Sequence, residues 1–244
     1  MTDFEYMTSL HSLLTEKQAN LPTVVTTTLA STPQGRSQLQ LATAPANPDD
    51  YVGGLLEITS GDASGKYFTI YRIVGDVVEL NGFIERSRLP DAGDSVRLSG
   101  GPLSEAVVYI GPPVTIEQQV NSGKKFFVFI DVPSSSTGFS ALVGKRPTSK
   151  AKKEVTYSTQ ILVATPDNTG VSNDPDSVRD SYYQLHRLKD QVMYLCEMFR
   201  HDTKNQLRSS SDMTCEFEKI DFPGFMKNGL FRAVIIEFDA TVSL

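Results

Sequence analysis

Between Pro175 and His201, the apolar residues Val178, Tyr182, Leu185, Leu188, Val192, Leu195 and Phe199 recur at helical spacing and form one stripe. Arg179, Gln184, Arg187, Lys189, Asp190 and Glu197 fall largely outside that stripe. At about 1.5 Å per residue the helix is roughly 40 Å long, enough to cross a whole sheet. Asp174 stands where an N-cap is expected, and Pro175 sits where the first helical position tolerates proline.

The sequence supplies strands for such a sheet. Lys125 to Val132 is strongly hydrophobic. Glu154 to Ala164 alternates, so that Val155, Tyr157, Thr159, Ile161 and Val163 face one way. After the helix, Met213, Cys215 and Phe217 alternate, and Leu230 to Val242 reads as the last strand. The turns Pro223-Gly224 and Asn228-Gly229 lie between them. A further helix is expected over Asp3 to Gln18, with Phe4, Met7, Leu10 and Leu14 on its apolar side and Thr2 or Asp3 as its cap.

From Leu21 to about Pro113 the texture changes. Val24 to Thr28 is a β-branched run. Ser31 to Asp50 is loop-like, with Pro33, Gly35, Pro45 and Pro48. Short strands then follow at Leu55–Thr59, Lys66–Val74, Val77–Leu80 and Ser95–Ser99, separated by glycine turns that supply positive φ. Tyr67 to Val74 carries apolar residues on both faces, which suggests a small closed barrel. The fold class expected is therefore α+β: a mixed β-sheet with one long helix packed across it, plus an inserted small all-β barrel. The organisation expected is an N-terminal helix at 1–20, the barrel at 21–113, and an α+β core at 114–244 with a polar arm at 133–153.

With 39% hydrophobic and 21% charged residues in 244, wholesale disorder is excluded. The longest apolar runs are five residues, such as Phe126 to Ile130, and a membrane-spanning helix needs about 20. The first twenty residues hold Asp3, Glu5, Glu16 and Lys17 and no apolar core, so no secretory signal is expected. Cys196 and Cys215 make no disulfide framework and read as small buried hydrophobes, which fits a reducing cytoplasm at synthesis.

No catalytic constellation emerges. His11, His186 and His201 lie in helical segments, and His186 and His201 are too far apart on one helix to grip one ion. The close carboxylate pairs, Asp49-Asp50, Asp174 with Asp176, and Glu237 with Asp239, lack the apolar setting that would make one a general acid. Gly61 to Gly65 joins two strands, whereas a phosphate cradle needs a helix N-terminus after it. No catalytic, metal or cofactor residue is assigned, no cofactor is expected, and the chain is read as a non-enzyme.

One charge cluster stands out. Lys124, Lys125, Lys145, Arg146, Lys150, Lys152 and Lys153 face only Asp131 and Glu154 between Asn121 and Val155. That stretch is +5 and the rest of the chain −11, for a total of −6. The bland reading is a solvated hairpin. The functional reading is a basic arm (Lys145, Arg146, Lys150, Lys152, Lys153) that reaches an acidic partner or, non-specifically, the DNA backbone. No aromatic residue interleaves the run, which argues against base stacking.

The order of elements in the second half resembles that of the tail-terminator proteins of long-tailed bacteriophages. The resemblance is carried by Lys153-Glu154-Val155-Thr156-Tyr157-Ser158-Thr159-Gln160-Ile161, by Asp180 to Gln191, and by Phe222 to Gly229 before the final strand. It covers about half of the chain; the glycine-rich stretch departs from it. It implies a virion protein, made in the host cytoplasm, that forms a homohexameric ring ending the tail and joining it to the head connector. The partners implied are further copies of the chain, a neighbouring neck ring, and the tail tube or sheath, with no membrane. A head–tail stopper and a sheath-associated neck protein are alternatives within that class. A carbohydrate-binding module, using Tyr51, Tyr67 and Tyr71, is the alternative of another class.

Overall fold

The computed structural model describes residues 2–21, 24–33, 35–111, 125–140, 152–166, 175–201, 207–210, 214–221 and 230–243. Their architecture is mixed α+β, mostly sheet with two helices. The chain divides into two compact units: Met1–Thr15, Ala106–Leu185 and Leu195–Leu244 form the first, and Glu16–Glu105 with His186–Tyr194 form the second.

The second unit is a curled antiparallel sheet of short strands: β1 (Val25–Thr28), β2 (Gln38–Gln40), β3 (Leu55–Ile58), β4 (Tyr67–Val74), β5 (Val77–Asn81) and β6 (Ser95–Ser99). The order is β1-β6-β3-β4-β5-β2, and a bridge between Leu29 and Leu41 links the chain just beyond the first and last strands. Leu39, Leu56, Ile58, Ile70, Val78, Val96 and Leu98 point into one core. Each such side chain contributes about 2 kcal/mol of transfer free energy. Strand β2 lies inside the stretch expected to be loop, because its single inward residue, Leu39, gives no alternation to read.

Strand β4 departs from the two-sided burial expected of it. Tyr71, Arg72 and Val74 are exposed, while Thr69, Ile70 and Ile73 are buried. The cause is a bulge: Ile70 pairs with Leu80 and Arg72 with Glu79, which leaves Tyr71 as the extra residue. The bulge shifts the inward-facing positions out of alternation and bends the strand, so apolar residues on both faces do not mean burial on both.

The first unit contains α1 (Asp3–Asn20) up to Thr15, then β7 (Val107–Ile110), β8 (Phe127–Ser140), β9 (Lys152–Pro166), both ends of α2 (Pro175–His201), β10 (Leu207–Ser210), β11 (Thr214–Asp221) and β12 (Leu230–Ser243). The sheet order is β10-β12-β9-β8-β7, with β11 also pairing β12; β7 is parallel to β8 and the other pairs are antiparallel. Strand β7 falls within the glycine-rich stretch of the sequence but pairs in this sheet.

The alternation of β9 holds: Val155, Tyr157, Thr159, Ile161 and Val163 are all buried. Opposite them on β12, Val234, Ile236, Phe238 and Ala240 are buried as well. Helix α1 packs on this face through Tyr6, Leu10 and Leu14, each fully buried. The Tyr6 ring stacks on Tyr157 with centroids 4.5 Å apart, and its hydroxyl lies 3.0 Å from that of Thr159. The expected side of α1 was different: Phe4 is exposed and Tyr6 takes the core. A tyrosine with a stacking partner and a hydroxyl partner outcompetes a phenylalanine with neither.

Thr2 and Glu5 form a capping box at the start of α1. The Glu5 amide donates to Thr2 Oγ1, and the Thr2 amide donates to Glu5 Oε2.

Candidate functional site

The basic stretch singled out above joins β8 to β9. From Asp131 to Ser134 the ladder slips by one residue, with Val132 and Pro133 in the irregularity. Proline is tolerated there because a bulge needs no ladder donor from it. Beyond the slip, Ser134 to Ser140 pair with Ser158 to Lys152. Strand β7 covers only Phe127 to Ile130 of β8, so among the described residues the outer edge of β8 beyond Ile130 has no strand beside it. Pro133 to Thr137 are exposed. Ser135 donates its hydroxyl to Asp3 Oδ2 at 3.2 Å, tying this part of β8 to the first turn of α1.

The five predicted arm residues divide as follows. Lys152 and Lys153 begin β9, opposite Ser140 and Phe139; their side chains lie outside the described residues, as do Lys145, Arg146 and Lys150 entirely. The structure therefore places the two roots of the arm on a two-stranded ribbon.

The face of this ribbon turned away from α1 is polar. Three cross-strand rows run over β8, β9 and β12: Asp131–Gln160–Glu237, Ser134–Ser158–Asp239 and Ser136–Thr156–Thr241. Directly opposed residues share a face. Gln160 donates to Glu237, Ser158 donates to Asp239 at 2.8 Å, and the hydroxyls of Thr156 and Thr241 lie 2.9 Å apart. Glu237, Asp239, Ser134 and Ser136 are exposed. The pair Glu237 and Asp239 thus sits among hydroxyls and amides.

The other candidates resolve individually. His11 Nε2 lies 3.2 Å from the Val108 carbonyl oxygen. His186 is half-buried, and burial first, then Lys189, lowers its pKa. The His201 side chain lies outside the described residues. Asp49 and Asp50 stand in a 3-10 turn, Pro48–Tyr51. Cys196 is buried and its thiol is pushed up to about 12 by that burial, so it is a poor nucleophile. The Cys215 side chain lies outside the described residues. Among the described residues no group of three or more His, Cys, Asp or Glu could hold a metal ion. No described helix is long and apolar enough to cross a membrane.

The second unit holds a polar cluster that the apolar stripe of α2 concealed. Glu57 accepts from Arg187 Nη2 at 2.8 Å and from Arg97, its cross-strand neighbour. The Arg187 guanidinium lies 5.0 Å from the Tyr67 ring centroid, and the Tyr67 hydroxyl donates to Asp190 Oδ2 at 3.0 Å. Four residues from Arg187, Gln191 is fully buried. Its amide donates to the carbonyls of Gly53 at 2.9 Å and Gly100 at 2.8 Å, and its oxygen accepts from the Leu103 amide at 3.2 Å. Gly101 has φ +64, and a Cβ there would lie 2.7 Å from Gln191 Oε1. Arg187, Asp190, Gln191 and Tyr194 are spaced at i, i+3, i+4 and i+7. That signal was present in the sequence as a second stripe on α2, but its polar character disguised it as a solvated face.

No protein-family model matches the chain, and no curated protein matches it.

Proposed function

We propose that the chain is a structural protein of the bacteriophage virion neck that assembles into a ring, ends the tail and joins it to the head connector. In this reading the protein works by shape and self-association and makes or breaks no bond. The finer architecture belongs to the same proposal: α2 lies across the long-stranded sheet, and the curled sheet of β1 to β6 is a small barrel inserted into a terminator-like core.

The observation that supports the reading best is the β8–β9 ribbon. Strands of 14 and 15 residues are far longer than the three to eight residues of the second unit. Pro133 to Thr137 of β8 are exposed, and the basic run of the sequence joins the two strands. A ribbon of that kind is a ready arm for a neighbouring subunit, and six copies of one modest interface close into a stable ring. The second reading, a glycan-binding module, is favoured by one feature: Tyr71, pushed out by the bulge, is 48% exposed.

Electron microscopy tests the proposal. The purified chain is expected to form rings, and virions lacking it are expected to carry tails of uncontrolled length. Full heads that leak DNA beside normal tails would indicate a stopper. A polypeptide monomeric at every concentration, with particles maturing normally in its absence, would overturn the assembly reading.

A further inference from the structure

We propose that the polar face formed by Asp131–Gln160–Glu237, Ser134–Ser158–Asp239 and Ser136–Thr156–Thr241 is the seat for the basic 145–153 segment of a second copy of this chain. The inference rests on the ring reading and names the contact that would close it.

Three observations carry it. The first is charge. The described side chains of the three rows include the carboxylates of Asp131, Glu237 and Asp239 and no lysine or arginine. The segment from Lys145 to Lys153 carries Lys145, Arg146, Lys150, Lys152 and Lys153 and no acid. Complementary potentials of this kind guide docking and fix register.

The second is the orientation of the face. The same strands bury Tyr157, Thr159 and Phe238 on their opposite side. The polar rows are therefore the side of this part of the sheet that keeps exposed residues, among them Glu237 and Asp239. Cross-strand hydrogen bonds fix the β9–β12 pairs Gln160–Glu237, Ser158–Asp239 and Thr156–Thr241, and the Val132 amide donates to Asp131 Oδ1, so less ordering is left to a docking event.

The third is chain length. Lys152 and Gln160 are eight positions apart on β9, about 27 Å along a strand. The eleven residues between Ser140 and Lys152, going out and back, reach no more than about 18 Å. A subunit's own backbone therefore stops short of its Asp131–Glu237 row, though not of its Ser136–Thr156–Thr241 row four positions from Lys152, whereas a neighbour's segment is under no such limit. Arm of one copy onto face of the next is a head-to-tail contact, the kind that closes a ring.

Charge swapping tests this with the full chain. A face variant, Asp131→Lys with Glu237→Lys and Asp239→Lys, and an arm variant, Lys145→Glu with Arg146→Glu and Lys150→Glu, are compared with the parent by sedimentation. Melting curves check that each folds. Each variant alone is expected to need at least about tenfold more protein to assemble. A mixture of the two is expected to recover the parent's assembly, because each basic arm then meets an acidic face and each acidic arm a basic one. A face variant that assembles like the parent overturns the seat and leaves the ring reading intact. An arm variant that assembles normally but loses DNA binding overturns it in favour of a nucleic-acid contact. A parent that stays monomeric overturns the ring reading and the seat together. If a triple variant fails to fold, the single changes Glu237→Lys and Lys150→Glu, mixed in the same way, are expected to show the same recovery at smaller amplitude.

Discussion

The two units solve the same problem, burying a sheet face, by opposite means. The second unit uses strands of three to eight residues turned by glycines and closes its core with many small contacts. It then satisfies two carbonyls and an amide left over at the Gly53 and Gly100–Leu103 turns with one buried side chain, Gln191. The first unit uses strands of 14 and 15 residues and covers one face with an aromatic stack from α1. Short strands need polar stitching, because each turn leaves backbone groups without partners. Long strands paired on both sides, as β9 and β12 are, satisfy each other's backbone along most of their length and need only apolar or aromatic cover.

Three substitutions put that contrast at risk. The largest effect is expected for Tyr6→Ala, which removes a fully buried ring from the first unit and should cost about 4 kcal/mol in denaturant unfolding. A loss below about 1 kcal/mol would mean that α1 is dispensable to the long-stranded sheet. Next comes Gln191→Leu, which strands the carbonyls of Gly53 and Gly100 and the Leu103 amide, for about 3 kcal/mol. Hydrogen exchange should show the loss in β3, β4 and β6 before β8 and β9. Uniform loss across both sheets would erase the distinction between stitched and covered units.

The smallest effect concerns Glu5, whose carboxyl is held below its usual 4.5 mainly by the hydrogen bond from the Thr2 backbone. A lowered folded value means stability present above the unfolded value and lost as pH falls through the folded one. Acid titration of α1 helicity should show that loss in the parent and a flatter profile in Glu5→Gln. Identical profiles would remove the capping box from the account.

Much of the first unit was legible because its strands alternate cleanly. The five inward residues of β9 and the bounds of α2 follow directly from periodicity. The rotation of α1 was not legible. Phe4, Met7, Leu10 and Leu14 make as good a stripe as Tyr6, Leu10 and Leu14, and only the partner ring of Tyr157 decides between them. Gln191, Arg187 and Glu57 were missed for a related reason. Polar residues outside an apolar stripe read as solvated, and nothing local in the sequence reveals that a second surface meets them. Of the arm expected over 133–153, the charge was legible, but not that Pro133 to Ser140 continue β8 and that Lys152 and Lys153 begin β9. The polar rows that face away from α1 were not, because they arise from the register between β8, β9 and β12, which the bulge at Val132 and Pro133 shifts by one.

The membership of His186–Tyr194 in the second unit has a consequence for synthesis. Strands β1 to β6 are synthesised by residue 99, but the side chain that satisfies Gly53 and Gly100 is added only at residue 191. At about 5–20 residues per second, the curled sheet waits several seconds, at least, with its turns unsatisfied before the polypeptide can complete it. The part of the molecule that looks most self-sufficient in the linear text is therefore finished late, by a stretch of helix encoded almost a hundred codons downstream.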